Sequence, residues 1–124
     1  MMRVLLAAIA LLLARAAVFA DSSKADVAKY SQVELLRNYA MARCLSQAFP
    51  GSALEPDATA SASGYLERGS VSADAYVEIA KLADSFLARK YSSQSGQPLQ
   101  TMKCIDLFQS KDLSLLAKRF VAKR

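Results

Sequence analysis

Residues 101–120 read TMKCIDLFQSKDLSLLAKRF and set one cysteine, Cys104, among apolar residues spaced as on a helix. Whether that sulfur is a nucleophile, a metal ligand, a core residue or half of a disulfide decides how the rest of the chain must fold. Locally, Met102, Ile105 and Phe108 predict a short apolar face that carries Cys104. Ser110 and Asp112 then predict a restart, capping a terminal helix with Leu113, Leu116, Ala117 and Phe120 inside. The basic end, Lys118, Arg119, Lys123 and Arg124, complements that helix's C-terminal dipole.

The far end of the chain sets the redox context for the cysteine. Met1 to Arg3 form a short positive region, Val4 to Ala14 an almost wholly apolar one, and Val18 and Ala20 occupy the small-residue positions of a cleavage site before Asp21. This pattern predicts a secretory signal peptide over residues 1–20 and a single helical domain over 21–124. A retained membrane anchor is the weaker reading, since a span needs roughly 20 apolar residues and Arg15 interrupts the run. The full chain has 16 Lys and Arg against 11 Asp and Glu. Removal of the leader takes away Arg3 and Arg15, leaving a mildly basic surface too evenly charged to argue for nucleic acid or a membrane partner.

Two cysteines, Cys44 and Cys104, would then be exported to an oxidising space, where a disulfide between them is expected. Closing so long a loop stabilises a fold by roughly 4 kcal/mol in the chain-entropy picture, against ~5–15 kcal/mol for a whole domain. The other readings lack partners. A catalytic thiolate usually relies on an imidazole, and the chain has 0 His. A zinc site would have to be completed by carboxylates alone. No catalytic residue, metal or cofactor is expected.

Upstream, Ser31 and Glu34 have the form of a capping box, and Leu36, Tyr39, Ala40, Arg43, Cys44, Gln47 and Ala48 follow at helical spacing until Pro50 and Gly51 end the element. A second helix is predicted from Pro56 and Asp57 to Gly69, read as a left-handed cap, with Ala58, Ala62, Tyr65 and Leu66 on one stripe. Its small residues suit close packing inside the domain, or a dimer contact. The third segment gives the clearest period: Tyr76, Ile79, Ala80, Ala83, Phe86 and Leu87, with Ser72 as N-cap, Asp74 in the first turn and Arg89 and Lys90 in the last. Residues 91–100, YSSQSGQPLQ, break all periodicity and predict a polar loop, long for a small helical domain. Composition alone fits a slack connector there as well as a binding loop. The expected architecture is all-α, a compact bundle of four to five helices with one disulfide that docks the first helix against the penultimate one, Cα atoms about 5.5 Å apart.

The stretches NYAMARCLSQAF (38–49), GYLERG (64–69), FLARKYSSQSG (86–96) and TMKCIDLFQSKDLSLLAK (101–118) resemble the type VI secretion amidase immunity proteins, fourth family. The resemblance runs in order along nearly all of the mature chain and includes both cysteines. It implies a periplasmic helical protein that binds and blocks a cognate peptidoglycan amidase delivered by neighbouring bacteria. It further implies a homodimer, with a protruding loop entering the amidase's cysteine–histidine groove and a helix of the second subunit adding contacts. On this chain the loop is Ser92, Ser93, Gln94, Ser95, Gly96 and Gln97, and the helix contacts are Glu78, Lys81 and Asp84. The alternative for such a chain is a secreted helical adaptor or structural dimer without an enzyme target.

Overall fold

The computed structural model describes residues 25–123, all of it helix and connecting loop. The signal-peptide reading of residues 1–20 and Arg124 lie outside the described residues. A 3-10 turn, Asp26–Lys29, precedes five helices: α1 (Gln32–Ala48), α2 (Leu54–Arg68), α3 (Ala73–Leu87), α4 (Gln100–Gln109) and α5 (Lys111–Ala122). No helix among them is long and apolar enough to cross a membrane.

The order of the bundle follows from α1, which touches each of the other four helices. Its start is the expected capping box. Ser31 Oγ accepts from the Glu34 amide at 3.2 Å while the Ser31 amide donates to the Glu34 carboxylate at 2.7 Å. Its end is a turn at Pro50 and Gly51, where Gly51 takes φ +76°, open to glycine and strained for other residues. One face of α1, Leu36, Ala40, Cys44 and Ala48, packs with Ala75, Ile79, Ala83 and Phe86 of α3, Cys104 and Leu107 of α4, and Leu113, Ala117 and Phe120 of α5. The Cys44–Cys104 disulfide crosses this core with Cα atoms 5.6 Å apart, tying α1 to α4 as the sequence predicts. Both cysteines are 0% exposed.

The opposite side of α1 carries α2, which packs on α1 and on the 3-10 turn. Only Ala58 and Ala62 of α2 are buried, so the helix approaches closely through small residues inside the domain. Gln32 fastens the far end of this hairpin, its side-chain amide accepting from the Ser70 N–H at 2.7 Å and donating to the Arg68 carbonyl at 3.4 Å.

Five expectations need correction. The second helix begins two residues before Pro56, at Leu54, and Leu66 lies outside its buried stripe, 43% exposed. Gly69 is not a left-handed cap: its φ is −73°, and a Cβ there would meet the Tyr76 hydroxyl, so any other residue needs that side chain to shift. Arg89 and Lys90 follow the end of α3 rather than filling its last turn. On α4 the buried residues are Lys103, Cys104 and Leu107, whereas Met102 and Ile105 are 50% and 45% exposed. The disulfide fixes the rotation of α4 and so chooses between its two apolar stripes. Ser110 does what its neighbours predict, donating its hydroxyl to the Leu107 carbonyl at 2.7 Å and accepting from the Leu113 amide at 3.1 Å, so one residue ends α4 and starts α5.

Candidate functional site

The polar segment between α3 and α4 is built from both ends. At its start, the Ala88 and Arg89 amides donate back to the Asp84 and Phe86 carbonyls at 3.0 and 3.1 Å, and the Arg89 guanidinium lies over the Phe86 ring, 3.5 Å from the centroid. The Leu87 carbonyl, an orphan acceptor at the end of α3, receives the Lys103 ammonium from α4 at 3.1 Å. Lys103 is only 5% exposed, with its ammonium 5.8 Å from the centre of the Tyr91 ring. The Tyr91 hydroxyl in turn donates to the Asp106 carboxylate, again on α4. These contacts clamp the foot of the loop to the helix that carries Cys104.

Beyond the foot the chain bonds to itself. The Gly96 amide donates to the Ser93 carbonyl at 3.2 Å, closing a turn with Gln94 and Ser95 at its centre. Gly96 itself has φ +75°. The Ser93 hydroxyl donates to the Gln97 carbonyl at 2.8 Å and lies 3.3 Å from the Ser95 hydroxyl, which accepts from the Gln97 amide at 3.4 Å. Of the six loop residues singled out from the sequence, Ser93 is half-buried and shapes the turn, while Ser92, Gln94, Ser95, Gly96 and Gln97 are exposed. A laced turn on a clamped foot loses less conformational freedom on binding than a slack connector would.

The three helix residues lie along the outside of α3. Lys81 pairs with Glu78 at 3.0 Å, and Asp84, near the C-terminal end, approaches Arg43 of α1 at 4.0 Å. The Lys81–Glu78 pair is solvent-screened and adds little stability, and Asp84 is itself exposed although Arg43 is mostly covered, so these charges are open to a partner. Among the described residues no cluster of three or more His, Cys, Asp or Glu could hold a metal.

Sequence reasoning missed the foot of the loop. Lys103 and the Tyr91–Asp106 pair carry no signal in periodicity, because a lysine on a helix normally faces water. Leu99 was missed too: it precedes α4 with φ 55° and ψ 43°, a left-handed conformation seldom taken by a leucine.

No curated protein sequence matches the chain. Among solved structures, a chain of the effector–immunity system Tae4/Tai4 from Salmonella typhimurium is 38% identical, with a TM-score of 0.74 over 78% of this chain and 96% of that one. A complex of Salmonella typhimurium Tae4 with Tai4 from Enterobacter cloacae contains a chain of the same fold, 24% identical, TM-score 0.67, covering 77% of this chain and 99% of that one. A structure from work on type VI-secreted toxins and self-resistance proteins of Serratia marcescens also shares the fold, at 22% identity and TM-score 0.72 over 81% of this chain and 85% of that one. The family model Tai4, type VI secretion system amidase immunity protein, matches residues 34–117, from the first turn of α1 into α5, and the chain belongs to that family.

Proposed function

We propose that this chain is a periplasmic immunity protein that inhibits a type VI secreted peptidoglycan amidase by steric occlusion, without catalysing a reaction itself. The observation that carries the reading is the turn Ser93–Gly96, self-bonded and clamped at its foot to α4. Such an exposed, self-bonded turn suits entry into a cleft, and its exposed Gln94 and Ser95 offer donors and acceptors that adapt to an amidase groove. The disulfide-tied bundle beneath supplies the rigidity an inhibitor needs. Family membership and the 38% identical Salmonella relative from a Tae4/Tai4 system support an amidase as the partner.

In this reading the leader over residues 1–20 delivers the chain to the periplasm, where the target acts and where disulfides form. The functional unit is a homodimer, with the loop of one subunit entering the amidase groove and Glu78, Lys81 and Asp84 of α3 on the other subunit adding contacts to the amidase.

Salmonella typhimurium Tae4 is a practical probe, because a complex pairs it with an immunity protein from another genus. Titrating the mature chain into Tae4 acting on purified peptidoglycan should abolish hydrolysis at a stoichiometric ratio. Undiminished hydrolysis at large molar excess, without a complex on a sizing column, would refute the reading.

A further inference from the structure

Beside the loop the structure leaves an apolar surface that lies largely outside the core, with Phe49 bridging the two. Phe49 at the end of α1, Gln97, Pro98 and Leu99 at the end of the loop, and Met102 and Ile105 on α4 line an open groove of about 580 Å³. Met102 and Ile105 cannot turn inward to escape water. Cys104, between them in sequence, is bonded to Cys44, and Lys103 is held to the Leu87 carbonyl, so the rotation of α4 is fixed from its other face. Large apolar side chains held exposed around a concavity are characteristic of interaction sites.

Leu99 adds a second observation. Its backbone is left-handed, φ 55°, a conformation that glycine or asparagine adopts with less strain. If the segment needed only a turn into α4, either of those residues would serve better. A leucine at this position gives the groove an aliphatic wall instead, at the expense of backbone strain.

We infer that this groove receives an apolar side chain from the rim of the amidase cleft that the loop enters. The inference rests on the functional reading above. Gln97 belongs both to the loop and to the groove, so a cleft that admits Gln94 and Ser95 brings its rim over Leu99, Met102 and Ile105. A second copy of this chain seated in the groove would instead cover the end of the loop and keep it out of any cleft. The two parts of the surface then divide the work. The serines and glutamines of the loop make adaptable polar contacts, and the groove supplies the buried apolar anchor on which interface affinity usually concentrates.

The test combines Met102→Ser with Ile105→Ser, two exposed positions whose change leaves the core intact, and compares the variant with wild type and with a chain in which residues 92–97 are replaced by a short glycine linker. Thermal melting checks that all three are folded. Binding to Salmonella typhimurium Tae4 is followed by association and dissociation kinetics, and self-association by sedimentation. The groove variant should bind with a dissociation constant raised about tenfold or more, mainly through faster dissociation, yet still inhibit when saturating. If wild type binds and the groove variant keeps its affinity and dissociation rate, the groove has no part in recognition, while the loop reading survives on the linker variant's loss of binding. A groove variant that changes self-association with unaltered amidase affinity would assign the groove to a second copy and overturn the inference. Failure of wild type to bind Tae4 would bring down the functional reading and the groove with it.

Discussion

Lys103 on α4 donates its ammonium to the carbonyl of Leu87, the last residue of α3, at 3.1 Å. A cation from one helix thus satisfies the C-terminal carbonyl of another, where the helix dipole favours positive charge. Arg37 repeats the arrangement, donating from α1 to the Phe108 carbonyl near the end of α4 at 2.9 Å with its guanidinium 4.6 Å from the Phe108 ring centre. The foot of the loop and the end of α4 are therefore held by charge-assisted bonds that cross between helices.

Replacing Lys103 by Met keeps the aliphatic stem but leaves the Leu87 carbonyl without this donor. Stability should fall by about 1–3 kcal/mol, read as a lower denaturant midpoint. Hydrogen exchange at residues 88–92 should rise more than at α1, because the clamp acts locally.

The capping box predicts a pH effect of definite sign. Glu34 accepts from the Ser31 amide and hydroxyl, and with the nearby Arg37 charge these bonds hold its carboxyl below the ordinary range. A folded-state pKa below the unfolded one stabilises the protein above the unfolded value, and that stability is lost as pH falls through the folded value. The gap in stability between wild type and Glu34→Gln should accordingly narrow as pH drops from about 7 to about 3. Ser31→Ala should lower stability by about 1 kcal/mol at neutral pH.

Gly69 and Tyr76 should behave as a coupled pair. Gly69→Ala forces a methyl group onto the Tyr76 hydroxyl, and overpacking of this kind destabilises by about 1–3 kcal/mol. Removing that hydroxyl with Tyr76→Phe should restore part of the loss. Rescue stays partial because the same Cβ would lie 3.2 Å from the Leu66 carbonyl and from the tyrosine ring. A double-mutant cycle measured by chemical denaturation checks the coupling.

Cys44→Ala with Cys104→Ala should lower stability by roughly 4 kcal/mol, a large share of a domain's total. Wild type should resist reduction and alkylation until denaturant is added, since both sulfurs are fully buried. Labelling of both cysteines in the native exported protein would contradict the tie between α1 and α4.

How far the sequence could be read depended on whether the deciding signal was local. Ser31 with Glu34, Pro50 with Gly51, and Ser110 are caps and stops that work through the nearest backbone groups, and each acts in the structure where it was expected. The Cys44–Cys104 pairing was legible because the chain has 2 Cys and an export leader pattern. The rotation of α4 was not. Met102, Ile105 and Phe108 recur at helical spacing, but Cys104 and Leu107 form a competing stripe, and only the bond to Cys44 decides between them. Nor could periodicity show how little room residue 69 has, since the side chain that fills it, Tyr76, comes from another helix. For the site, composition located the loop, but its foot depends on Lys103 and Asp106, whose types suggest solvent. Its ordered turn depends on Ser93 bonding to Gln97, a contact visible only once the backbone is placed.

The central claim, that the loop of this protein physically closes an amidase groove, can be tested at the catalytic cysteine that the family resemblance implies for the amidase. Both cysteines of the present chain are committed to its disulfide, so a thiol reagent added to the complex reports on the amidase alone. With Salmonella typhimurium Tae4 as target, alkylation of the catalytic cysteine, followed by peptide mass analysis, should nearly stop when one equivalent of wild-type protein is bound. It should resume with the variant lacking residues 92–97. A complex that forms stoichiometrically yet leaves that cysteine alkylated at the rate of free amidase would contradict occlusion by the loop.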